Sequence, residues 1–495
     1  MGISKIVDKL KAHSVHDAPA ADAAVSGDLL DSQLCRTRFH FGVNFGGCFV
    51  LEKWIFHSIF PEGTEVELEA VAKGAKDDKK DYKKRLEAHW SDYASEDDWK
   101  WLQSQGVTAV RIPVGYWHVG GGKFTLGTKY EPYADVYSEA WNIFKSKFVE
   151  AAAKHQIAVL VDLHGLPGGA NGEAHSGELS GGQAGFWNSL SFQKLAADAV
   201  AFIAKDLKRY SNIAGIQIVN EAEFSDSALK QKLYYMRALE AIRKEDGSIP
   251  VVILDGWWPD QWAKWVQEHQ KDGRNLGIVV DDHCYRCFDE KDRAKSVPQI
   301  IEDLDGSVLT NLNDGGRGVD FMVGEYSCVV DGKSWDKSDK GKRSELVEEY
   351  GAKQVRLFEQ RAGAGLYFWT FKFEQQGGEW DFREMAGRAV RPPKVQEPLL
   401  DKLEELLKAN FDQHVHYWDE RGGKYEHARY EAGFRAAWAD GAAFARKGAL
   451  VGRRQAVWAA RRAEYVKKEG QLDWLWEWDQ GWEKGMAEFV RAALA

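Results

Sequence analysis

The stretch Ile213-Ala-Gly-Ile-Gln-Ile-Val-Asn220-Glu221 decides how the rest of the chain is read. Six of its first seven residues are apolar or glycine, and it stops on an amide and a carboxylate. A strand buried on both faces of a parallel sheet reads as a short, nearly continuous apolar run. Two polar groups at its C-terminal end stand where parallel α/β sheets bind their ligands. Working outward, seven more runs have this form: Phe39–Gly47, Val107–Val114, Ile157–His164, Pro250–Gly256, Gly277–Tyr285, Val319–Glu325 and Gly365–Thr370. Helical segments alternate with them, at about 95–105, 135–155, 190–210, 226–245, 259–270, 289–305, 341–361 and 396–409. Ser95-Glu-Asp-Asp-Trp-Lys-Trp-Leu opens the first with an N-cap residue and early acids, and Gly106 closes it.

Eight strand–helix repeats over about 370 residues predict a (β/α)8 TIM barrel with long βα loops. A doubly wound sheet is the alternative, but no Gly-x-Gly-x-x-Gly follows the first strand. The barrel is expected over 38–410, after a partly disordered N-terminal lead-in over 1–37. The insertion from Cys48 to about Tyr93 has a charge-dense middle, Lys73–Arg85, which reads as a solvated surface helix or loop. Beyond residue 410 the composition turns to Ala, Arg, Glu, Tyr and Trp, with Trp418, Trp438 and Trp458 twenty residues apart. This predicts a Trp-rich helical C-terminal extension over 411–495. Gly433–Gly441 and Gly481–Gly485 place small residues at its helix crossings. The extension is expected to cap the barrel; self-association and sugar binding through it are the alternatives.

Composition narrows the function. A net charge of -10 argues against a nucleic-acid partner. The 21 Trp, 24 Phe and 17 Tyr supply flat faces for stacking on sugars. No apolar run is long enough to span a membrane. The N-terminus has no signal-peptide core, there are five Cys, and there is no Asn-x-Ser/Thr sequon, so the expected location is cytoplasmic.

The polar residues fall at the strand ends: Arg111, His164, Asn220 with Glu221, Asp255, His283 with Tyr285, Glu325 and Trp369. One histidine after a strand is more often a satisfied core group than a ligand contact. A whole set on one rim is another matter, since that rim is where barrels carry their sites. Strands four and seven lie nearly opposite each other, and each ends in a glutamate. Two carboxylates flanking a pocket suit glycoside hydrolysis, in which one acts as an acid and the other attacks or activates water. Glu223 and Asp282 are the alternative carboxylates. His164, His175 and His283 lack a His-x-His partner motif, and Cys284-x-x-Cys287 lacks a second cysteine pair, so no metal is expected. No nucleophile elbow or phosphate loop is present, and no organic cofactor is expected.

The set resembles glycoside hydrolase family 5. Asn220-Glu221 matches that family's Asn-Glu motif, Gly324-Glu325-Tyr-Ser its nucleophile strand and His283-Cys-Tyr285 its His-x-Tyr. Arg111, His164 and Trp369 match its remaining strand-end residues. Gly42-Val-Asn-Phe-Gly-Gly-Cys-Phe-Val-Leu-Glu52-Lys-Trp54 and His164-Gly-Leu-Pro-Gly-Gly-Ala-Asn-Gly172 resemble the fungal exo-β-1,3-glucanase pattern. Cys48 stands where those enzymes usually carry Trp, and Ala222 replaces the Pro after Asn-Glu. The resemblance covers about 38–400. It implies a retaining exo-acting β-glucosidase acting on a β-glucan, a short oligosaccharide or a glucoconjugate. Glu221 would be its acid/base and Glu325 its nucleophile. Glu52, Arg111, His164, Asn220, His283, Tyr285 and Trp369 would form the sugar-binding set, with Arg111 and Tyr285 orienting Glu325. Trp257, Trp258 and Phe186 are expected at the pocket mouth. Endo-glucanase or transglycosylase action on the same site is the alternative, as is a non-catalytic carbohydrate-binding scaffold.

Overall fold

The computed structural model describes residues 20–22, 31–179, 181–270, 274–310, 318–470 and 473–494. Eight parallel strands close into a barrel in chain order: β1 (His40–Asn44), β2 (Ala109–Gly115), β3 (Ala158–Gly165), β4 (Ile213–Gln217), β5 (Val251–Leu254), β6 (Ile278–Cys284), β7 (Asp320–Tyr326) and β8 (Gly365–Phe368). Pairing of β1 with β8, from His40 opposite Gly365, completes the circle. Each strand falls inside or across one of the apolar runs, so the run length and the buried parallel strand agree.

Alternation along a strand sorts the side chains. On β3, Val159, Val161 and Leu163 pack outward into the main core, while Leu160 faces the barrel axis with Ala109, Val252, Val279, Met322 and Tyr367. Gly42 leaves the room that the Tyr367 ring fills inside the barrel, since a Cβ there would strike the ring. This inner layer plugs the barrel. Continuing the same faces upward brings Asn44, Arg111, Asp162, His164, Asp281 and His283 to the axis above the plug.

Several segments differ from the sequence expectation. The strand expected through Glu221 ends at Gln217, and residues 218–221 leave it as an irregular rise. The helix expected over 135–155 is broken into α-helical, π-helical and α-helical pieces, Ala140–Ile143, Phe144–Val149 and Glu150–Lys154. Of the N-terminal lead-in, 1–19 and 23–30 lie outside the described residues. Asp31–Thr37 is a helix that packs under the barrel, where Arg36 pairs with Asp246 at 2.9 Å. The charged insertion is the helix Glu67–Asp92, kinked at Asp78. The helix expected over 396–409 begins at Leu400 and runs to Asp419, so the change of composition near 410 is not a change of structure.

The C-terminal helices are Leu400–Asp419, Ala428–Ala445, Arg454–Glu469 and Leu475–Ala493. The second and fourth cross closely through Gly433, Gly441, Gly481 and Gly485. At Gly481 an added Cβ would run into the Tyr430 backbone carbonyl, and at Gly433 into that of Trp478. Backbone cannot step aside as a flexible side chain can. In Gly481→Ala the gain in helix propensity, about 1 kcal/mol, is therefore outweighed by an overpacking cost of about 1–3 kcal/mol. Its unfolding midpoint in urea is expected below that of the wild type; an equal or higher midpoint would contradict the close crossing.

Candidate active site

The site is built on a buried cation. Arg111, on β2, is inaccessible to solvent, and its guanidinium has five N–H groups. Nε donates to Gln217 Oε1 at 2.8 Å. Nη1 donates to Asn44 Oδ1 at 2.8 Å and to Glu325 Oε1 at 2.9 Å. Nη2 donates to Asn220 Oδ1 at 2.8 Å and lies 2.9 Å from Asp162 Oδ2. Burial opposes the charge, but Asp162, Glu325 and Asp281 overcome it and raise the guanidinium above its ordinary value. With five acceptors for five donors, Arg111 has nothing left for a sugar. Grouped above with the sugar-binding residues, it instead positions them.

Its partners are aligned in turn. Asn220 gives its oxygen to Arg111, which turns its Nδ2 toward His164 Nε2, 3.2 Å away. His164 then carries its proton on Nδ1, donated to Asp162 Oδ2 at 2.7 Å, and burial holds the imidazole below its usual value and neutral. Asn44 donates from Nδ2 to the Gly324 carbonyl at 2.8 Å, tying β1 to β7.

Glu325 faces the axis because of a register shift. Alternation from Met322 turns Gly324 inward against the Asp281 carboxylate, and Glu325 would point outward. The β6–β7 pairing shifts between Asp282 and His283, which sets Glu325 opposite His283. Tyr285 then donates to Glu325 Oε2 at 2.9 Å. Glu221 stands beyond the end of β4 with φ +40°, in the left-handed region that non-glycine residues seldom occupy. Its carbonyl accepts from Asn171 Nδ2 at 2.9 Å, which holds that turn.

His283 lies between the two glutamates. Its Nδ1 is 2.9 Å from Glu221 Oε1 and 3.5 Å from Glu325 Oε2, and its Nε2 is 3.3 Å from Asp281 Oδ2. Burial disfavours the imidazolium, yet Glu325, Asp281 and Glu221 outweigh it and push His283 well above its usual value. His175 Nε2 lies 3.2 Å from the other Glu221 oxygen. Burial favours the neutral carboxyl of Glu221, but His175 and His283 together draw it down to about 2. The free site therefore carries its proton on imidazole and its negative charge on Glu221.

The pocket has a volume of about 950 Å3, within the usual range for small-ligand sites of roughly 300–1,000 Å3. Glu52 forms one wall. Trp54 Nε1 donates to its Oε2 at 2.9 Å, while the buried Oε1 has no protein partner among the described residues. Burial pushes the Glu52 carboxyl up to about 7. The loop bearing Glu52 is pinned from behind by Glu67, which is fully buried and accepts from Leu51 N at 2.9 Å, Trp117 Nε1 at 2.8 Å and the Tyr137 hydroxyl at 2.9 Å. Trp369 also lines the pocket and lies nearly parallel to His164, with ring centroids 6.2 Å apart.

Of the expected residues, Glu52, His164, Glu221, His283, Tyr285, Glu325 and Trp369 line one pocket, with Arg111 and Asn220 buried beneath it. Trp257 lines it as well. Phe186 does not: it is buried and packs edge-on against Tyr234 at 4.8 Å. Trp258 stacks on Phe224 instead. Asp255 is buried beneath the rim, accepting from Trp257 N at 3.0 Å. Of the alternative carboxylates, Asp282 reaches the pocket and the exposed Glu223 does not. The sequence reading missed Asn44, Asp162, Gln217 and Asp281 under the site, although inward alternation could have found three of them. It also missed His175 as a neighbour of Glu221, for which the sequence carried no signal.

A closed (β/α)8 barrel with two glutamates and a sugar-sized pocket at the C-terminal ends of its strands defines a barrel glycosidase. Comparisons with known proteins agree. The model of cellulase (glycosyl hydrolase family 5) matches residues 75–374, and that of the glucan 1,3-beta-glucosidase 3 C-terminal domain matches 400–493. The chain belongs to glycoside hydrolase family 5, and it is a glycoside hydrolase. It is 37% identical over 474 residues to an uncharacterized glycosyl hydrolase of Saccharomyces cerevisiae, covering 93% of each chain. To glucan 1,3-beta-glucosidase 3 of Schizosaccharomyces pombe it is 32% identical, covering 90% of this chain and 93% of that one. Among solved structures, the rutinosidase from Aspergillus niger shares the fold, with a TM-score of 0.57 at 16% identity over 72% of this chain and 99% of that one.

Replacing Arg111 with Met leaves Asp162 and Glu325 facing each other without their shared cation. Breaking a buried ion pair in this way costs about 3–5 kcal/mol. Arg111→Met is expected to lower the urea midpoint by a corresponding amount; a loss below about 1 kcal/mol would mean that Arg111 does not anchor the layer.

Proposed function

We propose that the chain is a retaining, exo-acting β-glycosidase that removes terminal β-D-glucosyl residues from β-glucans, oligosaccharides or glucoconjugates. The observation that carries this reading is the carboxylate spacing: an oxygen of Glu221 and one of Glu325 lie within 4.8 Å of each other, with His283 between them. Retaining enzymes hold their carboxyl groups about 5–5.5 Å apart, and inverting ones about 6.5–9.5 Å apart to admit a water. The glucosidase names of the relatives support glucose as the sugar.

Glu325 attacks the anomeric carbon while Glu221, taking the proton held by His283 across their 2.9 Å contact, passes it to the departing oxygen, and a glycosyl-enzyme ester forms on Glu325. Glu221 then takes a proton from water as the water displaces the ester. Arg111 and Tyr285 each fix one oxygen of Glu325, which aims its lone pairs. Asn220, with its oxygen committed to Arg111, has Nδ2 available for the sugar 2-hydroxyl. Glu52 Oε1 accepts from a hydroxyl at the non-reducing end, and Trp369 supplies the apolar floor. Glu52 and Trp54, on the loop held by Glu67, line the pocket, and a wall of this kind supports exo action. We also propose a cytoplasmic location, a reading supported by the five free cysteines.

Two measurements test the mechanism. Proton NMR of a laminari-oligosaccharide digest is expected to show β-glucose as the first product, with no shorter oligosaccharide released from within the chain. Glu325→Ala is expected to be inactive and, given azide, to form the α-glucosyl azide. An initial α-glucose product, or wild-type-like activity in Glu325→Ala, would refute the assignment.

The proton accounting gives a further expectation. His283 keeps its proton to high pH because its folded value is raised, so the Glu221–His283 pair retains the acid proton well above the range of an isolated carboxyl. His283→Gln can still donate a hydrogen bond but holds no such proton. Its alkaline limb of kcat/KM on alkyl glucosides is expected at lower pH than that of the wild type. On a dinitrophenyl glucoside, whose leaving group needs no proton, the limb stays in place. An unmoved limb on the alkyl substrate would show that His283 does not store the acid proton.

A further inference from the structure

The C-terminal helices contain a second cluster of histidine and glutamate that the glycosidase chemistry does not use. Glu477 is fully buried near the start of the Leu475–Ala493 helix. Its Oε2 lies 3.1 Å from His414 Nε2, near the end of the Leu400–Asp419 helix, and 3.0 Å from His427 Nδ1, just before the Ala428–Ala445 helix. Its Oε1 accepts from Glu426 N at 2.7 Å. Among the described residues no lysine or arginine pairs with this buried carboxylate. A carboxylate buried in this way calls for a cation beside it.

We propose that His414 Nε2, His427 Nδ1 and Glu477 Oε2 form a site for a divalent transition metal, zinc by its ligand chemistry. Two histidines and a glutamate with an open fourth position are an established zinc donor set. Bonds of about 2.0–2.1 Å in tetrahedral geometry put ligand atoms about 3.3 Å apart. The two separations from Glu477, 3.1 and 3.0 Å, lie just under that, and all three ligand atoms fall within 4.8 Å of one another. The outer contacts fit as well. His427 Nε2 lies 3.3 Å from Asp419 Oδ1, the carboxylate–histidine arrangement that fixes the ring of a metal ligand. Tyr430 stacks on His414 with centroids 4.1 Å apart, giving the site an apolar wall. On binding, the ring nitrogens that now face Glu477 must be free of protons, so each neutral imidazole carries its proton on its other nitrogen, which for His427 is the Nε2 that faces Asp419. The ion would pin three of the C-terminal helices and the turn between the first two.

The test uses the full chain, stripped with a chelator and titrated with Co2+ as a spectroscopic probe. One equivalent is expected to bind with the intense visible bands of four-coordinate cobalt, and Zn2+ should displace it. The active site also holds a His and two Glu close together. The Glu325→Gln variant is therefore expected to keep the spectrum, while His427→Ala, at a half-buried position, is expected to lose it. Asp419→Ala should bind Co2+ about 10–100-fold more weakly with the same bands. Three results would overturn the proposal: no stoichiometric uptake by the wild type, a spectrum that survives in His427→Ala, or one that vanishes in Glu325→Gln.

Discussion

The catalytic end of this barrel depends on one buried guanidinium. A charge placed inside an apolar barrel must be matched by acceptors on every side. Arg111 finds five, on β1, β2's neighbour β3, β4, the rise after β4, and β7. These acceptors include the oxygen of Asn220 and one oxygen of Glu325. The need to satisfy Arg111 therefore sets the direction of the residues that face the sugar, and the demand for stability and the demand for preorganisation coincide.

Above that layer, the site is governed by where protons rest. Glu52, Glu221 and Glu325 share a pocket with His164, His175 and His283, and Glu173, Asp282 and Asp289 also line it. Their environments push them apart. His164 is kept neutral by burial, His283 is kept charged by the carboxylates around it, Glu221 is drawn down to about 2 and Glu52 is pushed up to about 7. Such divergence is what lets one pocket contain an acid, a base and hydrogen-bonding groups at a single pH. The acidic wall also suits a neutral sugar over an anionic ligand.

The Trp-rich C-terminal helices are held by different physics. Glycines at a helix crossing bring two backbones together, and large rings fill the space around them; Trp478 and Trp482 are among the largest buried side chains. Trp418, Trp438 and Trp458 stand twenty residues apart in the chain. The structure gives these residues separate tasks: Trp438 packs against Phe489, while Trp458 donates to Asp479.

The sequence by itself determined the number and order of the strands, because a strand buried on both faces must be apolar along its length and the chain has eight such runs. It also determined which residue types stand at the strand ends, and so the class of chemistry. Local pattern could not decide the final orientation of the two glutamates. Alternation along β7 points Glu325 away from the axis, and a register shift against β6 turns it in. Glu221 lies past its strand, in a left-handed turn held by Asn171, fifty residues earlier in the chain. His175 reaches Glu221 from a loop, and Glu67 holds the Glu52 loop from a helix that the sequence showed only as charged surface. These features were settled by the tertiary structure because each rests on a hydrogen bond, ion pair or strand register between distant segments, and only the closed barrel brings those segments together.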